Sequence, residues 1–120
     1  MQHEALKRGG DGKALYTDCY TGKTLRGGDA YDYEHLRSAE ELYNKYKHII
    51  TDTEIAEVVN CVGNVGVTLR VINQSKGKRK MEDWIGSALN RAEHKVDIKH
   101  SLNSLKEADE DISRILKKYI

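Results

Sequence analysis

The chain has 120 residues, with 20 Lys and Arg against 19 Asp and Glu and a net charge of +1. That length holds one compact domain and excludes two, so residues 1–120 are expected to form a single unit. The near-neutral total does not by itself imply a nucleic-acid partner, and no apolar run approaches the roughly 20 residues of a membrane span, so no membrane is expected.

Taken in chain order, residues 9–28 hold six of the ten glycines, in Gly-Gly-Asp-Gly, Thr-Gly-Lys and Gly-Gly-Asp. β-prone pieces such as Ala14 to Thr17 lie between them, which predicts turns and a short hairpin. Ala30 to Leu36 reads as a strand or extended arm. Ser38 followed by Glu41 is a capping-box signature that opens a helix through about His48, with Leu42, Tyr46 and Ile49 facing the core. Thr51 or Asp52 caps a second helix with Ile55, Val58, Val59 and Val62 on its apolar side, and Gly63 is placed to end it. Val65 to Ile72 is β-branched and predicts a strand. Asn73 to Lys80 is polar and basic, either a loop or the start of a helix. Met81 to Val96 reads as a helix anchored by Trp84, Ile85 and Leu89. Ile98 to Tyr119 reads as a long final helix, with Ile98, Leu102, Leu105, Ile112, Leu116 and Tyr119 on one stripe.

Three pieces carry chemistry. Tyr31-Asp32-Tyr33-Glu34-His35-Leu36 sets a carboxylate beside a histidine at the end of an expected strand. Gly63-Asn64-Val65 opens the next apolar strand. Asn73-Gln74-Ser75-Lys76-Gly77-Lys78 follows, with Asn73 nine residues after Asn64. Between Val58 and Met81 there is no acidic residue, while Arg70, Lys76, Lys78, Arg79 and Lys80 all fall there. Such a block can face phosphate even in a nearly neutral chain, and it can equally be a solvated charged face. The aromatic residues are seven Tyr, one Trp and no Phe, which suits packing with a wet polar edge. His3, His48, His94 and His100 have no partners at ligand spacing and are expected at the surface. Trp84 is expected in the core.

In this order and spacing, Glu34, His35, Asn64 and Asn73 resemble the motif of the HNH endonucleases, the ββα-metal superfamily. The likeness is to the HNH domains of CRISPR RNA-guided nucleases and of restriction and defence nucleases. Cys19-Tyr20-Thr21-Gly22-Lys23 is similar to the hairpin that opens many such domains. The resemblance covers roughly residues 13–85 and implies an α+β fold. That fold has a ββα-metal core, a short β-hairpin, an inserted helical pair, and additional C-terminal helices over about 81–120. It implies His35 as general base, Asn64 as a brace for the loop that carries it, and Glu34 and Asn73 as ligands of one divalent ion, Mg²⁺ or Mn²⁺. Asp32 is a further candidate for the metal or its surroundings, although an exposed strand acid would look the same. Arg70, Lys76, Lys78, Arg79 and Lys80 are the candidates for binding the nucleic-acid backbone. Since Glu34 and His35 are neighbours in a strand and alternate in facing, the strand should stop at His35 for both to reach one phosphate.

The chain departs from the family pattern in three places. Many members have a proline three residues after the histidine; Ser38 stands there, and the chain has no proline. Some members carry a structural zinc on two Cys-x-x-Cys pairs; Cys19 and Cys61 are the only cysteines, so no structural zinc is expected. The insertion between His35 and Asn64 is longer than in compact members. The expected function is metal-dependent hydrolysis of phosphodiester bonds in DNA. An RNA-cleaving toxin domain of the same fold and a non-catalytic nucleic-acid-binding module are the alternatives. Sequence specificity is expected to come from a larger parent chain, a guide or a partner. In a toxin setting, an immunity protein would be a further partner. The cysteine usage points to a reducing compartment, the cytoplasm, or a target cell's cytoplasm for a delivered toxin.

Overall fold

The structure is a computed structural model that describes residues 16–120 apart from residue 27. The glycines at 9, 10 and 12, residues 13–15 of the expected core, and His3 lie outside the described residues. The first elements form a short hairpin, with β1 (Tyr16–Thr17) antiparallel to β2 (Thr24–Leu25). Gly22 closes the turn between them at φ +76°, a conformation that L side chains rarely adopt. The carboxylate of Asp18, fully buried, holds the turn from inside. It accepts the backbone N–H of Tyr20 at 2.8 Å and the Thr68 hydroxyl at 2.9 Å.

The second sheet positions the site. β3 (Tyr31–His35) pairs antiparallel with β4 (Val65–Leu69), with Tyr31 opposite Leu69 and His35 opposite Val65. β3 ends at His35, as expected from the alternation argument. The insertion between the two strands folds as α1 (Ala39–Tyr46) and α2 (Asp52–Val59). Ser38 caps α1 by accepting the Glu41 N–H, and Thr51 and Glu54 form a reciprocal capping box on α2. Because α1 stops at Tyr46, Ile49 falls on an exposed turn and Ile50 takes the buried place. Val62, expected on the apolar side of α2, is exposed as well. The helix ends at Val59, and residues 62–64 form a separate 3-10 turn that contains Gly63.

The expected strand over Val65 to Ile72 is split. β4 stops at Leu69 and α3 (Arg70–Lys76) begins at once, so Val71 and Ile72 are helical. Ile72 is fully buried beside Met81 and Trp84, so packing against those neighbours overrides its β-branched preference. The segment expected as one helix from Met81 to Val96 is two, α4 (Met81–Ile85) and α5 (Ala88–His94). They are separated at Gly86, and Ser87 caps the second. Trp84 and Ile85 are buried, but Leu89 lies on the exposed side of α5. The last helix, α6 (Ile98–Leu116), buries Leu105, Ile112 and Leu116 as expected. Ile98 and Leu102 are exposed, and Ser101, Ala108 and Ile115 complete the buried stripe instead.

The chain is therefore an α+β protein. α6 spans two apolar clusters: Leu105 and Ala108 meet Tyr20, Ile72 and Trp84, while Ile112, Ile115 and Leu116 meet Leu42, Ile55 and Val58. No helix among the described residues is long and apolar enough to cross a membrane. Both cysteines are free and buried.

Gly63, in the 3-10 turn, lies close against α6. A Cβ there would sit 2.7 Å from Asp111 Cβ and 2.8 Å from the Glu107 carbonyl oxygen, and the Gly63 N–H donates to Asp111 Oδ2 at 2.7 Å. Gly63→Ala is expected to destabilise the fold by about 1–3 kcal/mol through overpacking. Urea denaturation measures it, and an unchanged midpoint would contradict this contact.

Candidate active site

β3 presents two chemical faces. Asp32 and Glu34, two residues apart, point to the side covered by α3. Tyr31, Tyr33 and His35 point to the other. The contacts follow this division. From α3, Arg70 Nε donates to Asp32 Oδ1 at 3.0 Å and Asn73 Nδ2 donates to Asp32 Oδ2 at 3.2 Å. One turn further along, Lys76 Nζ lies 2.5 Å from Glu34 Oε1. Arg70, Asn73 and Lys76 recur at three-residue spacing, so one stripe of a helix meets alternate residues of a strand. The hydrogen bonds from Asn73 and Arg70 hold the Asp32 carboxyl below the usual carboxylate range.

Glu34 is buried, and Tyr20 also reaches it: the phenol donates to Oε1 at 2.8 Å. Burial, then the negative charge of Glu34, push the Tyr20 phenol well above its ordinary value, so it stays protonated and donates. Trp84 stacks edge-on against Tyr20 at 5.3 Å between ring centroids and donates its indole N–H to Ser75. The other oxygen of Glu34, Oε2, is the single buried side-chain atom among the described residues with no hydrogen-bond partner.

His35 stands apart from the acids. It is half-buried, and its Nε2 lies 2.9 Å from Asn60 Oδ1 at the end of α2. On the same face Tyr33 is exposed, and its hydroxyl is 3.1 Å from that of Tyr16.

Asn64 holds the backbone that follows His35. Its side chain accepts the Arg37 N–H at 2.7 Å and donates to the carbonyls of Arg37 and Val59 at 3.0 and 2.8 Å. Its own carbonyl accepts the Leu36 N–H at 2.9 Å. Arg37 carries the brace outward, to Glu82 on α4 at 2.7 Å and to Asp109 on α6 at 2.9 Å. Its hydrogen bonds to Asp109 and then Glu82 raise the guanidinium's pKa further.

Of the residues singled out from the sequence, the fold brings Asp32, Glu34 and Asn73 to one face, with Asn73 in contact with Asp32. Asn64 sits behind His35. Lys78, Arg79 and Lys80 are exposed on the turn after α3, and Arg70 is exposed while paired to Asp32. Lys76 is not on that surface. It is buried against Glu34, so its charge serves the interior. Among the remaining histidines His48 is exposed; His94 is half-buried with its ring 5.5 Å from Trp84, and His100 is half-buried against Gly22.

Three residues were missed by sequence reading. Tyr20 and Asp18 sat in a glycine-rich turn with no sign of burial. Asn60 followed an apolar run and carried only the signature of a helix end.

Among the described residues no three His, Cys, Asp or Glu side chains are grouped to hold a metal ion, so any such site here depends on the asparagine. Asp32, Glu34 and Asn73 together are an all-oxygen set that suits a hard cation, and the unpartnered Glu34 Oε2 is the observation that fits one. Family models, curated proteins and solved structures were all compared with the chain, and none matches.

The Glu34–Lys76 pair yields a direct expectation. Lys76→Met leaves a buried carboxylate without its cation and should cost about 3–5 kcal/mol. Tyr20→Phe removes one hydrogen bond from the same oxygen and should cost about 1–3 kcal/mol. Chemical denaturation of the two variants checks the order, and a smaller loss for Lys76→Met would contradict it.

Proposed function

We propose that the chain is an endonuclease of the HNH kind, hydrolysing phosphodiester bonds in DNA with one divalent ion and His35 as general base. The observation that carries this reading is that β3, which ends in Glu34 and His35, pairs with β4 and is covered by α3, whose Asn73 reaches the acid face of β3 at Asp32. Asn64 stands just before β4. The asparagine expected to brace the histidine loop makes its hydrogen bonds to that loop.

Asp32, Asn73 and Glu34 would hold the ion, Mg²⁺ or Mn²⁺. It would neutralise charge on the phosphate and stabilise the leaving oxygen. His35 takes the proton from the attacking water; imidazole is suited to this near neutral pH. Asn64 keeps the backbone after His35 from shifting when that proton arrives. Lys78, Arg79 and Lys80 supply cations for the flanking phosphates, which makes binding weaker as salt rises. The position of Tyr33 on the face of His35 adds an exposed aromatic ring beside the base.

One observation favours a second reading, a binding module without catalysis. The two carboxylates already have cationic partners, Asp32 in Arg70 and Glu34 in Lys76, so the cluster is neutralised without a metal. Cleavage decides between the two. With supercoiled plasmid and Mg²⁺ or Mn²⁺, wild type is expected to nick or linearise DNA. His35→Ala should be slower by on the order of 10²–10⁴-fold, the usual contribution of a positioned base. Cleavage that persists in excess EDTA would overturn the metal mechanism. Binding without cleavage under any metal, by wild type and variant alike, would establish the binding module, and cleavage confined to an RNA competitor would move the substrate to RNA.

A further inference from the structure

The insertion between the strands reaches His35 twice. Asn64, at the insertion's end, holds the backbone after the histidine, and its amide also grips the Val59 carbonyl at the end of α2. Asn60, one residue beyond Val59, meets the ring itself. We propose that Asn60 is the positioning residue of His35, fixing the imidazole with its proton on Nε2 and so leaving Nδ1 as the nitrogen that accepts a proton from water. The importance of that assignment for cleavage rests on the nuclease reading; the assignment of the ring does not.

The hydrogen-bond pattern dictates the tautomer. Asn60 Nδ2 donates to the Ala56 carbonyl at 3.0 Å, one turn back in α2. That leaves Oδ1 for the ring, 2.9 Å from Nε2. An amide oxygen only accepts, so Nε2 must carry the hydrogen, and a neutral imidazole with Nε2–H has its free lone pair on Nδ1. Turning the amide over would set its oxygen against the Ala56 carbonyl oxygen, acceptor against acceptor.

Asn60 is itself held in place. Its backbone N–H closes the last turn of α2, whose first turn is locked by the Thr51–Glu54 capping box. Ile55, Val58 and Val59 bury the helix against the cluster that contains Ile112 and Ile115 of α6. The ring is therefore oriented by a packed helix rather than by a loose loop, and the long insertion acquires a role in the site.

The test uses the full chain labelled with ¹⁵N, at a pH alkaline enough to keep the histidines neutral. Multiple-bond ¹H–¹⁵N spectra of wild type are expected to show His35 protonated at Nε2, with a slowly exchanging Nε2–H proton. That proton signal should disappear in Asn60→Ala. Asn60 is exposed, and circular dichroism verifies that the variant is folded. In plasmid cleavage, Asn60→Ala should lower kcat on the order of tenfold with KM little changed, as loss of an orienting partner does. Protonation of His35 at Nδ1 in wild type, or an Nε2–H signal unaffected by Asn60→Ala, overturns the proposal. Absence of cleavage by wild type, with the spectra as expected, overturns the nuclease reading and leaves the ring assignment standing.

Discussion

The side-chain amide of Asn64 is the constraint on which the site depends. It is fully buried and forms three hydrogen bonds, to both backbone groups of Arg37 and to the Val59 carbonyl. Those bonds tie the exit of β3, the end of α2 and the entrance of β4 at one point. A buried backbone group without a partner costs about 1–3 kcal/mol, so losing this amide would expose three such groups at once. An aspartate could accept from Arg37 but could not donate to two carbonyls, and a leucine could do neither. With the amide in place, the turn after His35 has one conformation, and Arg37 is aimed at Glu82 and Asp109. The histidine loop, α4 and α6 are thereby held together.

From that point the separation of chemistry on β3 follows. A strand alternates its side chains, so acids at 32 and 34 must face one way and the histidine at 35 the other. α3, starting directly after β4, covers the acid side with Arg70, Asn73 and Lys76. The His side is met by the end of the insertion. The strand ends at His35, and beyond it the chain turns toward Asn64.

Much of this was legible in the sequence where a local rule is strong. Ser38 and Thr51 cap helices as their side chains demand, the glycine-rich stretch around Gly22 turns, and β3 stops at His35. The expectations failed where packing overrides local preference. Val71 and Ile72 look like strand residues, yet Ile72 is helical because its side chain fills space beside Trp84. Leu102 and Ile98 fit a helical stripe but point outward, since α6 turns its small residues Ser101 and Ala108 to the core there, and Leu89 points outward on α5. In the candidate site, the order and spacing of the motif single out Asn64 and Asn73, whereas Asp32 is only a further candidate beside Glu34. The basic run around Lys76 suggests a surface cation, and no sequence pattern says that one lysine of such a run is buried against a glutamate. Asn60 was invisible for a similar reason: its partner lies 25 residues away.

Asp32, Glu34 and Asn73 are proposed to hold one divalent cation beneath α3. Crystals of the full chain soaked in Mn²⁺, with anomalous diffraction recorded at the manganese edge, decide it. The expected result is a single anomalous peak coordinated by Asp32, Glu34 and Asn73, with the Arg70 guanidinium moved off Asp32. Manganese bound elsewhere, or no peak while Arg70 and Lys76 keep their carboxylate partners, would overturn the proposal.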